Sequence, residues 1–429
     1  MPDQPDRFFR SFRRLVRRSA RSHREQPHSP DPMLPGRRSI SLVISALLVL
    51  ATGVVTLTAG PADALAAPNP VATQDALNGL PDVTVHATSA AMTNLTTHTG
   101  VTQTAGCPTG TLVGGGGYLR NASNPTTVPT NGLVLGGTNP STGASPVDQP
   151  AATGATNPSN WMAIANFTGA SETGDQAEAF ALCATNGPAH TVVATTSTTG
   201  ANAAQESAPP ILTTATCPTG TTLVGGGAYT TTPDQVNDGT TVGNLGNLKP
   251  MGSYPSDSSG VPAANASTSA TSWSAYGSAG NKASTDTVTA VALCTSDPIG
   301  PVQVARQDIS STAGGVITAT PVCPTGTQLL GGGFRADETI GTTSGLQPQQ
   351  GYHMRGSYPS TGSGNPPTEV PDATTDPTAW TALLQAGGAP ASGSADLHAF
   401  AMCAQPTSTA TPTPSPQPTA TPVPSATPT

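Results

Sequence analysis

Six cysteines are the residues of this 429-residue chain best suited to chemistry: Cys107, Cys183, Cys217, Cys294, Cys323 and Cys403. Zinc sites place two cysteines about two to four residues apart, and no two stand that close here, so no metal is expected. A catalytic thiol needs a histidine beside it, and none of the seven histidines recurs at matching distances from the cysteines. That leaves disulfides. The segment Cys-Pro-Thr-Gly-Thr starts at Cys107, Cys217 and Cys323, so the cysteines belong to three copies of one repeat. Repeat symmetry favours Cys107–Cys183, Cys217–Cys294 and Cys323–Cys403. The shifted alternative joins Cys183 to Cys217 and Cys294 to Cys323, leaving Cys107 and Cys403 over.

Glycine runs follow each first cysteine, at Gly114–Gly117, Gly225–Gly227 and Gly331–Gly333. A phosphate-binding loop would need Lys-Ser/Thr and a helix after the glycines, and both are missing, so a bulge or a close backbone approach is the better reading. Each copy carries one tryptophan, Trp161, Trp273 or Trp380, ahead of its second cysteine. Two roles are open to them: a core anchor near the disulfide, or an exposed platform for stacking on sugar rings with Tyr254 and Tyr358 as helpers. Five residues before the second cysteine the copies differ, with Glu178, Thr289 and His398. A catalytic group required in every copy would not vary in this way, so no catalytic residue and no cofactor is assigned.

The elements that must position these residues read as strands. Val83–Ala87, Thr191–Thr195 and Val302–Arg306 open the copies, and Ile211–Cys217 and Val316–Cys323 run into the first cysteine. Pro-Thr-Gly then signals a turn. Trp161–Phe167, Trp273–Gly277 and Trp380–Gln385 follow, and Ala177–Cys183, Thr287–Cys294 and Leu397–Cys403 close the copies. Between them lies a Gly/Ser/Pro-rich stretch in which Gly252–Ser256 matches Gly356–Ser360. Short Thr- and Val-rich strands without a helical period predict an all-β chain of three tandem, disulfide-stapled antiparallel β-sandwich (jelly-roll-like) domains in a short rod. Their bounds are 83–187, 190–297 and 301–405. Residues 406–429 hold eight Pro and eight Thr and predict a disordered tail.

Charge divides the chain. Ten arginines lie before residue 39, while residues 39–429 carry six basic against twenty acidic side chains. Such an acidic body excludes nucleic acid as a partner, because phosphate binding needs clustered Lys or Arg. The basic region 1–38 precedes an apolar stretch without charge, Ile40–Thr58, and Ala64-Leu65-Ala66. Residues 39–66 read as a secretory signal peptide cut after Ala66, or as an uncleaved anchor that crosses the membrane through 39–60, with 67–82 as a linker. A basic helix at Arg7–Arg24 lying on anionic lipid is a further reading of what is otherwise an extended leader.

The order Cys, Trp, Cys occurs in immunoglobulin domains, but there the tryptophan closely follows the first cysteine. Over residues 83–405 the Cys-Pro-Thr-Gly-Thr…Gly-Gly-Gly…Trp…Cys pattern resembles a module of uncharacterised exported bacterial repeat proteins, often joined to Thr/Pro-rich tails. The resemblance implies a surface location and no catalytic site. The expectation is a secreted or cell-surface protein, non-enzymatic, with a structural or adhesive role and cell-envelope polysaccharide or protein as partner. A carbohydrate-binding array is the alternative, and a hydrolase with a site in one copy, using His353 or His398, is another.

Overall fold

In the first repeat, alternation of small or β-branched apolar residues with Thr and Ser forms β1 (Asp82–Ala91), β2 (Gly100–Gly106), β3 (Thr111–Asn121), β4 (Leu133–Ser141), β5 (Asn160–Phe167) and β6 (Asp175–Thr185). The second repeat supplies β7 (Val192–Asn202), β8 (Ile211–Thr216), β9 (Thr222–Thr231), β10 (Leu248–Ser256), β11 (Ser272–Ala279) and β12 (Ser284–Thr295). The third has β13 (Val302–Ser311), β14 (Val316–Ala319), β15 (Gln328–Ile340), a short β16 (Thr343–Ser344), β17 (Tyr352–Gly364), a short β18 (Pro367–Glu369), β19 (Ala379–Ala386) and β20 (Gly393–Ala404). The structure is a computed structural model. It describes residues 80–92, 100–121, 133–143, 148–167, 174–202, 210–231, 248–279, 284–311, 315–340, 343–344, 352–364, 366–386 and 393–406. The leader, the signal or anchor segment and nearly all of the Thr/Pro tail lie outside the described residues. Among these residues every regular element is a strand.

All strand pairs are antiparallel, and no sheet belongs to one repeat alone. The first sheet runs β1-β6-β3-β17-β19-β14, with β18 on β17, and so joins the first repeat to the third. The second runs β2-β5-β4-β9-β12-β7 and joins the first repeat to the second. The third runs β13-β20-β15-β10-β11-β8, with β16 on β15, and joins the second repeat to the third. Each repeat therefore divides its strands between two sheets, and the three repeats close into a ring. The expectation of three sandwiches, each complete in itself, is corrected by this pairing. One compact unit spans Pro68–Thr429, and one hydrophobic cluster draws on all three repeats.

The seams between repeats are narrow. Gly356–Ser357 faces Tyr118–Gly117, Gly137–Thr138 faces Tyr229–Ala228, and Gly252–Ser253 faces Arg335–Phe334. Neighbouring sheet edges meet at corners, where the Thr88 hydroxyl donates to the Thr104 carbonyl at 2.6 Å and that of Thr213 to the Thr196 carbonyl at 3.3 Å. At the third corner the Thr320 amide donates to the Gln307 side chain. These contacts cover backbone that would otherwise offer open strand edges.

The glycine runs explain how three repeats fit round one interior. A Cβ at Gly114 would collide with the Leu330 carbonyl, and one at Gly225 with the Val113 carbonyl, so backbones of different repeats touch there. The next glycines, Gly115, Gly226 and Gly332, lie flat against the rings of Trp161, Trp273 and Trp380. The third ones, Gly116, Gly227 and Gly333, approach the carbonyls of Ser357, Thr138 and Ser253 across the seams. The runs sit inside strands, which removes the phosphate-loop reading; the close approach is present in all three, and a bulge opens the runs between Leu112 and Gly114 and between Leu329 and Gly331.

Candidate functional site

All six cysteines are paired as repeat symmetry favours: Cys107–Cys183, Cys217–Cys294 and Cys323–Cys403, closing separations of 76, 77 and 80 residues. Each bond ties the turn before β3, β9 or β15 to the end of β6, β12 or β20. Fully oxidised cysteines fit an oxidising compartment outside the cytosol.

The proposed stacking platform is not exposed. Trp161, Trp273, Trp380, Tyr254 and Tyr358 are all buried, at no more than 1% relative exposure. The Trp273 and Trp380 indoles donate to Ser253 and Ser357, each at 2.9 Å. The Tyr254 and Tyr358 hydroxyls donate to the carbonyls of Gly260 and Pro367. Small residues build most of this interior, so it needs a few large rings to fill it, and that need draws the aromatics inward. The core reading of the tryptophans therefore holds, and the platform reading is corrected.

Chemically active side chains gather instead at the position five residues before the second cysteine, where sequence comparison saw only variation. On the first sheet, Glu178 of β6 faces Arg120 of β3, with Oε2 3.3 Å from Nε. Arg120 Nη1 also binds Glu369 Oε1 of β18 at 2.7 Å. Burial raises Glu178 to about 7; Glu369 adds to the shift and Arg120 opposes it. Burial likewise pushes the adjacent Tyr118 up to about 12. Glu178 can thus hold or release a proton near neutrality.

On the third sheet the same position holds His398, between two carboxylates. Its Nδ1 lies 2.8 Å from Asp308 Oδ1 on β13, and its Nε2 3.4 Å from Asp337 Oδ2 on β15. Burial disfavours the imidazolium, but hydrogen bonds to Asp337 and Asp308 outweigh it and raise His398 above its ordinary value. Arg306 binds Asp308 at 2.6 Å, and Arg335 binds Asp337 at 3.0 Å while lying over the Tyr254 and Tyr276 rings. The Tyr276 hydroxyl, from the second repeat, donates to Asp337 at 3.1 Å. On the second sheet the position is neutral, and Thr289 exchanges a 2.8 Å hydrogen bond with Ser197.

His353 lies on β17 in the first sheet and His398 on β20 in the third, so the two histidines named for a one-copy hydrolase are not brought together. Among the described residues no three His, Cys, Asp or Glu side chains converge as around a metal ion. A cavity between Leu135, Thr138, Ala228, Pro250 and Phe334 has a volume of about 10 Å³, room for about one water.

A second unusual group is Arg355, which is wholly buried at a bulge in β17. Its Nε donates to Gln385 at 2.8 Å, while Nη1 and Nη2 have no hydrogen-bond partner among the described residues. Burial lowers it to about 9, and the Asp175 carboxylate offsets part of that. The second repeat has Met251 in this place. No protein-family model matches the chain, and no curated protein sequence matches it.

Proposed function

We propose that this is an exported, non-catalytic scaffold of the cell surface or extracellular space, with a structural or adhesive role. The observation that carries this reading is the polarity of the ring. The disulfides, the linkers between repeats and both ends of the described body lie together, since Cys183 pairs with Thr84, Cys403 with Gln303, and the Gln405 amide binds the Pro301 carbonyl. Strand direction puts the ends of β1, β3 and β5, and of their counterparts, at the opposite end. The sequence leaving there differs from copy to copy, as 122–132 differs from 232–247. A stapled base with copy-specific sequence at the far end suits display, with envelope polysaccharide or protein as the ligand class. Under the same reading, residues 39–66 serve as signal or anchor and the Thr/Pro tail as stalk.

The test has two arms. Thiol titration of the protein recovered from the producing cell's exterior should find no free thiol. Binding of the full chain to isolated envelope material should fall when 232–247 is replaced by a Gly/Ser segment of equal length, with thermal stability retained. Cytosolic protein with free thiols, or envelope binding unchanged by the replacement, would refute the reading.

A further inference from the structure

The first and third repeats are not consecutive in the chain, and their β3–β17 seam closes the ring. It combines the short pairing at Gly356–Ser357, the Tyr118–Tyr358 stack with centroids 4.5 Å apart and Arg120, and it lies beside backbone hydrogen bonds that tie Val83 and Val85 of β1 to residues 373–376 of the third repeat. Arg120 faces one carboxylate from each side: Glu369 of the third repeat at 2.7 Å and Glu178 of its own repeat at 3.3 Å. We propose that Arg120, Glu178 and Glu369 form an acid-strengthened latch on the ring-closing seam. When Glu178 is protonated, Arg120 serves Glu369 alone and holds β18 to the first repeat. Once ionised, Glu178 competes for the guanidinium and repels Glu369, and the seam loosens.

The surroundings leave Arg120 as the cation that decides this balance. Facing Glu178 are Arg120 and Tyr118 on β3, Glu369 on β18 and, opposite on β1, Ser89, while Tyr358 of β17 stacks on Tyr118. His86 of β1 is turned to Asp372, and Arg355 of β17 is held by Gln385. β2 and β5, packed on β6, carry no ionisable side chain, and Arg335 and Asp337 of β15 are engaged with each other. Opening the seam returns Glu178 from about 7 toward its ordinary 4.5. The closed state therefore holds the extra proton; its advantage is complete below about pH 4.5, declines as pH rises to about 7, and loses nothing further above.

Hydrogen exchange on the full chain tests the latch. After correction for intrinsic rates, opening at residues 117–120 and 356–369 should increase at least ~10-fold between about pH 5 and about pH 7.5. Glu178→Gln should hold that rise within about twofold, and Glu369→Gln should reduce it. His398 moves stability in the same direction on another sheet, so the reading is taken from seam amides rather than from global melting. Should Glu178→Gln fold poorly, Glu178→Thr, the residue found at Thr289, replaces it. A wild-type rise that persists in the Glu178 variant, or no rise in the wild type, overturns the proposal.

Discussion

Trp161 Nε1 is buried without a hydrogen-bond partner among the described residues, while the equivalent Trp273 donates to Ser253 at 2.9 Å. The difference lies in Thr138, which stands where the other copies have Ser253 and Ser357. Its γ-methyl packs toward Gly117, where an added Cβ would come within 2.9 Å of it, and a β-branched side chain has little freedom to turn. Thr138→Ser should let the hydroxyl accept from the indole and stabilise the protein by about 1 kcal/mol in chemical denaturation. Ser253→Ala should do the reverse, at about 1–3 kcal/mol, by leaving Trp273 unpaired. A destabilised Thr138→Ser protein would count against this account.

Identical substitutions at two glycines should differ in cost. A methyl at Gly332 would enter the Trp380 ring and the Phe400 carbonyl, which are backed by a packed core. Gly332→Ala should therefore lose about 3 kcal/mol or fail to fold. Gly326 has φ of +83° and open space at its Cβ, so Gly326→Ala should cost only about 1 kcal/mol of backbone strain. Equal losses at the two positions would mean that the tryptophan contact is not what requires glycine.

Shared sheets make the three repeats one folding unit. Calorimetry should give a single transition for residues 80–406, with calorimetric and van't Hoff enthalpies in agreement. Removing one bond, as in Cys217→Ser/Cys294→Ser, frees a 77-residue separation and should cost up to ~4 kcal/mol of the whole body's stability. A chain ending at residue 297 leaves β3 without β17 and should not fold. Three separable transitions would contradict the ring.

Arg355 and Asp175 should behave as a coupled pair. Arg355→Met alone removes the cation that faces the buried Asp175 carboxylate, which keeps its 3.1 Å hydrogen bond from Asn121, and should cost about 3 kcal/mol. Adding Asp175→Ala recreates the Met251 and Ala395 combination that the third sheet already uses, and the double variant should be neutral or up to about 4 kcal/mol more stable. A double-mutant cycle in urea measures the coupling, and additive effects would show the two charges to be independent.

Much of this structure was legible in the residues, and the illegible part has identifiable causes. The disulfide pairing and the strands beside each cysteine and tryptophan follow from local signals, because turn residues and alternating burial are local properties. β4, β10 and β17 were hidden in the Gly/Ser/Pro-rich stretch, since Pro140, Pro255 and Pro359 argue against central strands. They are tolerated because each seam uses only a short glycine-containing segment of its strand, leaving the proline positions free of a ladder partner on that side. Which half-sheet pairs with which repeat has no local signature at all. The variation at Glu178, Thr289 and His398 argued against shared catalysis. In the structure the same variation gives each sheet its own polar network: Arg120 and Glu369 at one seam, Tyr276 and Asp337 at another.

The closure that joins Arg120 to Glu369 spans 249 residues of chain. For a protein threaded outward from its N-terminus, β3 would emerge with one flank open and wait for β17, most of the chain later. Contacts so distant in sequence slow folding and prolong the exposure of unpaired strands, so maturation should be slow relative to translocation and sensitive to aggregation until the third repeat has crossed.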